Sequence, residues 1–412
     1  MNKKVVVIGA GAAGMMAAGT AAEYGASVTL IEKNQRVGRK IMITGKGRCN
    51  VCNNCDKQTF INNVPVNGRF LYSAVNSFSP EDTIRFFETL GLSLKTERGN
   101  RVFPASDKAV DVVDTMRNFV KDRGVKIIND TAQNLITENG EVIGVQCSSG
   151  TYYADSVIVC CGGKSYPLTG STGDGYLLAE QAGHTISELK PSLVPLESAD
   201  TECKSMQGLA LKNVALKIIH NPSQKEVYSD FGEMLFTHFG ISGPMVLSAS
   251  SHIRDMESGI YTAVIDLKPA LNFEQLDKRL QSEFRQNANK DVSNSFSKLL
   301  PKKIVVPVLK RWAVPFDKKC NVITKEERHR LIDILKAFTV DISGFRPIEE
   351  AIITSGGVKT NEINPKTMES KLVKGLYFAG EVIDCDAYTG GFNLQIAWST
   401  GRLAGENAAI ID

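Results

Sequence analysis

Three glycines near the amino end constrain this chain more than any other feature. Gly9-x-Gly11-x-x-Gly14 follows Val5-Val6-Val7-Ile8, a β-branched run suited to a strand buried on both faces. It opens Ala12 to Tyr24, an Ala- and Met-rich stretch that reads as a helix stopped at Gly25. In such a turn the first glycine allows the tight bend and the second lets a pyrophosphate approach the backbone. The third lets helix and strand pack closely. Amides at the helix start, those of Ala12 and Ala13 among them, then face an anion. The next strand, Ser27-Val28-Thr29-Leu30-Ile31-Glu32, ends in an acid with Lys33 beside it. An acid about twenty residues past the glycines accepts hydrogen bonds from a ribose and disfavours a 2′-phosphate. The same spacing explains the uncharged stretch Val5 to Ala22 behind Asn2-Lys3-Lys4, which imitates a signal peptide.

A chain of 412 residues predicts two or three compact units. Ser79-Pro80-Glu81-Asp82 is a strong helix start, and a second helix is expected from Ala109 to Asp122. From about Pro191 the texture turns strand-rich, with helices expected at Phe273 to Gln286 and Lys325 to Ala337 around a basic and apolar stretch, Leu299 to Trp312, that resists assignment. From about Gly375 the strand–turn–helix texture returns, so both chain ends are expected to build one nucleotide-binding domain around an insertion. The expected division is 1–190 with 350–412, a β-rich part at 191–270 with 338–349, and a helical subdomain at 271–337. A net charge of +3 makes no case for nucleic acid or an anionic membrane, and no other run has the length of a membrane span. Nine cysteines in a chain long enough to need no staples point to a reducing, cytoplasmic setting.

The glycine triplet suits FAD and NAD equally. The carboxyl end discriminates. Leu376-Tyr377-Phe378-Ala379-Gly380-Glu381-Val382-Ile383-Asp384 is a strand ending in Gly-Glu, and Thr389-Gly390-Gly391-Phe392-Asn393-Leu394-Gln395 opens the last helix. Amides at a helix start stabilise developing negative charge, as an anionic reduced flavin requires. NAD would make no use of this second site.

Gly38-Arg39-Lys40-Ile41-Met42-Ile43-Thr44-Gly45-Lys46-Gly47-Arg48-Cys49-Asn50 resembles the signature of the BaiN/aminoacetone-oxidase-like flavoproteins. Gly170 to Tyr176, Gly232 to His238 with Gly240 to Pro244, and Asn364 to Ser370 resemble that family as well, so the likeness spans the chain. The resemblance implies an α/β fold of the two-dinucleotide-binding-domain flavoprotein type. It implies a Rossmann-like domain for non-covalent FAD, an inserted β-barrel-like domain and a small helical subdomain. Glu381 and Asp384 would lie toward the flavin, and Arg39 and Lys40 would neutralise the pyrophosphate. Thr44, Gly45 and Gly47 would bring backbone to the isoalloxazine. Ala132 would meet the adenine through its backbone, and Gly162-Gly163 would let the chain pass the dinucleotide. The implied activity is hydride transfer through flavin N5 to or from a small molecule.

Several roles stay open at this level. Arg48 and Asn50 either touch flavin or substrate, or, for Arg48, make a structural ion pair. His238 is a catalytic candidate or a buried histidine satisfied by backbone, and Tyr388 is a comparable candidate. Cys49-x-x-Cys52-x-x-Cys55 imitates a metal or redox set, but Thr59 stands where a fourth ligand would fall, so no metal is expected. With no second glycine fingerprint, NAD(P)H would serve as a transient donor that reduces the flavin, which then reduces an activated C=C. An amine oxidase using oxygen and a low-turnover flavin sensor are the alternatives.

Overall fold

The computed structural model describes residues 2–253 and 255–410, which form two compact units. The first joins the two chain ends, up to Ser192 and from Pro347 onward, and the second is Leu193–Arg346. Val5 through Ile8 are buried in β1 (Lys4–Ile8), the central strand of a five-stranded sheet in the first unit. β2 (Ser27–Glu32) and then β3 (Lys126–Asn129) lie on one side of it. β4 (Ser156–Val159) and then β5 (Leu376–Phe378) lie on the other. Every pairing is parallel. The chain leaves β1 first to one side and later to the other, so the gap between the ends of β1 and β4 is a topological switch point, where ligands bind in such sheets.

Helix α1 (Ala12–Glu23) is buried along Ala13 to Ala21, and α2 (Ala109–Asp122) packs beside it. The last helix, α3 (Phe392–Ala409), is what ties the two chain ends together. A Cβ on Gly401 would stand 2.5 Å from the Ala13 carbonyl oxygen, and one on Gly405 2.4 Å from that of Ala17. Both contacts advance by four residues in the same sense, so α1 and α3 run parallel with backbones touching. That register places the start of α3 eight residues ahead of the start of α1, about 12 Å at 1.5 Å per residue.

The second unit holds a seven-stranded antiparallel sheet. Its first strand, Phe338–Ile342, and its last, Gly344–Phe345, are parts of one chain segment. That segment pairs with both sheet edges, and Ser343 N–H donates to the Glu197 carbonyl at 2.9 Å, so the sheet closes on itself like a small barrel. Helices Phe273–Gln286, Lys302–Trp312 and Lys325–Lys336 share one core with it, where Leu276, Trp312 and Leu331 meet Leu216, Ile265 and Phe338. The stretch unassigned from sequence is thus largely helical, with Pro307 inside the helix. Among the described residues no helix is long and apolar enough to cross a membrane.

Candidate cofactor site

The carboxyl ends of the five parallel strands bring the glycine-rich segments to one crevice. Gly14 must be glycine for α1 to sit on the turn, because a Cβ there would lie 1.7 Å from the Gly9 carbonyl oxygen. Gly11 differs: a Cβ on it would meet nothing within 4 Å, so open space lies beside it. Glu32 ends β2 almost buried. Its carboxylate accepts from the Ala10 N–H at 2.8 Å and the Asn34 N–H at 2.8 Å, which locks the turn after β1 to the end of β2. Ala132 opens the strand that follows β3, Gly162 and Gly163 follow β4, and Gly380 and Glu381 follow β5. Glu381 accepts from Lys40 Nζ at 2.7 Å, Ser165 Oγ at 3.1 Å and the Thr354 N–H at 2.9 Å.

A second set of groups gathers where α3 begins. The segment after the short helix Arg39–Ile43 is wound left-handed at Gly45, Lys46, Gly47 and Cys49, with φ between 55° and 84°. For residues other than glycine this conformation costs roughly 1–2 kcal/mol each, so the surroundings must hold it. They do so through the Cys49 N–H on the Thr44 carbonyl (3.0 Å) and the Val51 N–H on the Val102 carbonyl (2.8 Å). The segment delivers Asn50, whose Oδ1 is buried without a hydrogen-bond partner among the described residues. That atom lies 2.9 Å from where a Cβ of Gly391 would stand. A buried polar atom left unpaired costs about 1–3 kcal/mol. Next to it the first amides of α3, on Phe392, Asn393 and Leu394, precede the helical ladder, which begins with Gln395 N–H on the Gly391 carbonyl. The pyrimidine edge of an isoalloxazine carries an N–H donor flanked by carbonyl acceptors. It complements an acceptor lacking a donor beside donors lacking acceptors, so the residues present fit FAD.

Some expected residues are engaged differently. Gln395 spends its N–H in the helix, and its buried side-chain amide donates to Phe78 O at 3.2 Å and Ser399 Oγ at 3.0 Å, while its Oε1 is buried without a partner among the described residues. Asn393 shapes the entry loop, donating to the Ala387 carbonyl and accepting from the Ala387 N–H. The Asp384 carboxylate accepts from Ser187 Oγ at 2.7 Å. Lys33 reaches Thr172 and Asp174, and Arg39 donates to Asn34 Oδ1 at 2.7 Å. The Lys40 ammonium rests on Glu381, so its charge is balanced within the protein. Arg48 forms the ion pair: it binds Glu97 and Asp107 and lies 4.2 Å over the Phe103 ring, and these bonds raise its pKa and lower those of both acids. His238 is exposed rather than buried, in the turn between strands Lys225–Phe236 and Gly240–Ser242, and its ring meets Phe239 at 5.0 Å. Tyr388 is half-buried, its N–H on the Asn63 carbonyl.

Burial pushes the Cys49 thiol up to about 12 and Cys55 to about 11, and raises Cys52 as well. Thiolate, the form that ligates metal or exchanges disulfides, is therefore scarce at neutral pH. Among the described residues no group of His, Cys, Asp or Glu is placed to hold a metal ion. Ser165 and Thr354, which fix Glu381, escape sequence reading because no motif contains them. Thr354 Oγ1 accepts from the Lys164 and Ser165 amides at 2.8 and 3.1 Å.

The chain is similar to known proteins along most of its length. The family of the HI0933-like protein Rossmann domain matches residues 3–407. The 3-dehydro-bile acid delta(4,6)-reductase of Clostridium scindens is 30% identical over 417 residues, covering 99% of both chains. The ribosomal RNA dihydrouridine synthase of Haemophilus influenzae is 32% identical over 402 residues, covering 96% of both. The solved 3-ketosteroid-delta4-(5alpha)-dehydrogenase of Rhodococcus jostii RHA1 shares the fold, with a TM-score of 0.55 at 14% identity, covering 99% of this chain and 97% of that one.

Proposed function

The chain belongs to the HI0933-like protein Rossmann-domain family, and from that premise we propose that it is an FAD-dependent oxidoreductase, an NAD(P)H-linked reductase of a C=C bond conjugated to a carbonyl. The observation that carries this reading is the pair of parallel helices whose amide ends open toward the same end of the sheet, staggered by about 12 Å. One end suits a pyrophosphate beside Gly11. The other suits a flavin edge beside Asn50 and Gly391, a separation that the ribityl chain of FAD bridges.

Bound there, FAD would supply hydride transfer. The chain's own groups bind and orient it. The amides from Gly11 to Ala13 take the phosphates, Glu32 the ribose hydroxyls, and Asn50 Oδ1 the flavin N–H. The amides of Phe392, Asn393 and Leu394 stabilise negative charge on the ring edge, with the positive end of α3 behind them. The substrate class draws support from the two curated relatives. A 4,6-unsaturated 3-oxo bile acid and uridine both present a C=C conjugated to a carbonyl, which accepts hydride at the far carbon and a proton at the near one. Because one relative acts on ribosomal RNA, the small net charge does not exclude nucleic acid as the carrier of that bond.

The test is an anaerobic titration of the purified yellow protein. Bleaching by NADH or NADPH, followed by reoxidation on adding an enone or uridine-containing RNA, is expected. Bleaching by aminoacetone and by neither nicotinamide would turn the reading to the amine oxidase, and a protein that takes up no FAD would end it.

A further inference from the structure

The net charge of +3 conceals a strong asymmetry. Residues 292–316 hold five basic side chains (Lys298, Lys302, Lys303, Lys310 and Arg311) and no acidic one. Extended to residue 336, the count is eleven basic against four acidic, so this short stretch carries +7 and the rest of the chain is net acidic. The helix Lys302–Trp312 turns Ile304, Val308, Leu309 and Trp312 into the core of its unit. It leaves Lys302, Lys303, Val306 and Lys310 exposed, a spacing that sets them in one stripe along the outer face.

Within that stretch Lys318, Lys319, Arg328 and Lys336 are ion-paired, to Glu327, Asp291, Asp277 and Asp266, whereas the lysines of the outer face have no acidic partner among the described residues. Lys298, Lys302 and Lys310 have no hydrogen-bond or ion-pair partner among the described residues. Lys303 Nζ donates to a neutral acceptor, the Gln207 carbonyl, at 2.6 Å. Arg311 shows the contrast: it binds Glu202 at 2.7 Å, lies 3.7 Å over the Phe338 ring, and belongs to the unit's own structure. Lys302 and Lys303 also occupy the first turn of their helix, where the dipole repels cations. Neither lysine has an acidic partner there among the described residues, so the helix opens on two positive charges that no carboxylate balances.

We propose that this lysine stripe is a docking surface for the phosphate backbone of RNA, an inference that rests on the RNA-borne reading of the substrate given above. Charge complementarity favours a polyanion. Lys302 and Lys310 stand about 12 Å apart along the helix axis, a span over which one nucleic-acid strand presents several phosphates. An anionic membrane is the poorer match, because a membrane-surface helix must bury its apolar face in lipid and here that face fills the core.

The experiment measures binding of deproteinised ribosomal RNA to the FAD-loaded protein across a range of KCl. It uses wild type, Lys302→Glu/Lys303→Glu/Lys310→Glu and the milder Lys302→Gln/Lys303→Gln/Lys310→Gln, each checked for retained flavin. Each lost phosphate contact removes about 0.7–0.9 from the slope of log K against log salt. The charge-reversed protein should therefore lose about two units of slope and at least tenfold in affinity near 0.1 M salt, with the Gln variant in between. RNA binding unchanged in both variants, no RNA binding by wild type, or tighter binding to phosphatidylglycerol vesicles than to RNA would each overturn the proposal. Bleaching of the flavin by NAD(P)H, read on the same samples, separates the outcomes: its loss in wild type refutes the reductase reading, and its persistence with unaltered RNA binding refutes only the surface.

Discussion

Gly11 and Gly14 stand three residues apart in one motif, and the structure assigns them opposite consequences. A Cβ on Gly11 meets nothing within 4 Å, and its φ of −84° is open to any residue. Gly11→Ala should cost the apoprotein no more than the weaker helix cap, up to about 1 kcal/mol. A Cβ on Gly14 would lie 1.7 Å from the Gly9 carbonyl oxygen and 3.3 Å from Cys160 Cβ. Since backbone cannot swing aside as a side chain does, α1 would have to lift from the turn, and overpacking of this kind costs about 3 kcal/mol or more. For FAD the order reverses. The methyl of Gly11→Ala fills the room beside the turn and should lower affinity at least about a hundredfold, near 2.7 kcal/mol. Each unit holds one tryptophan, Trp398 in the first and Trp312 in the second, so a Trp312→Phe background lets urea unfolding followed by fluorescence report on the first unit alone. FAD affinity comes from flavin fluorescence quenching. If Gly11→Ala bound FAD within about threefold of the parent, the open space would not be the phosphate site and the cofactor geometry would fall with it.

Three further outcomes follow from other groups. Lys40→Met strands the Glu381 carboxylate beside the cofactor crevice, so FAD affinity should drop about tenfold while stability moves by less than about 1 kcal/mol, the range for partly exposed pairs; an unchanged dissociation constant would place the phosphates elsewhere. His184 is buried between Glu362 and Ser370, at 3.2 and 2.7 Å, and burial lowers its pKa below 6.5. The unfolded chain then takes up a proton that the folded one refuses, so stability is complete above about pH 6.5 and declines as pH falls beneath it. Urea midpoints at neutral and mildly acidic pH should show that decline in the parent and a shallower one in His184→Gln; equal slopes would refute it. Cys49, pushed up to about 12, and Cys52 are both buried, so neither should be alkylated by iodoacetamide until urea is added, as peptide mass spectrometry would show. Rapid labelling of either in the native protein would contradict the account of their burial.

The parts of this fold that were legible are those in which a residue and its partner are close in sequence or share a fixed chemical spacing. β1, the glycine turn and α1 form one continuous signal, and Glu32 closes it within the same unit of structure. Arg48 could not be resolved because its partners, Glu97 and Asp107, lie 49 and 59 residues away and look like any surface acid. That the Gln395 N–H is already bonded is not legible, because a glycine-rich helix entry does not reveal where the hydrogen-bond ladder starts, and one residue decides whether an amide is free. Gly401 and Gly405 gave no warning that they touch α1, since a small residue in a helix does not name its neighbour. The Leu299 to Trp312 stretch was unreadable for a local reason. Proline signals a break, yet Pro307 costs its helix a single N–H bond, and its buried ring recovers apolar contact in exchange. That same helix carries the lysines whose charge the whole-chain sum conceals. Net charge adds residues that never share a surface, so a near-neutral total is compatible with a strongly basic face. Whether a chain can meet a polyanion is decided by which unpaired charges one element exposes together, and only the fold displays that.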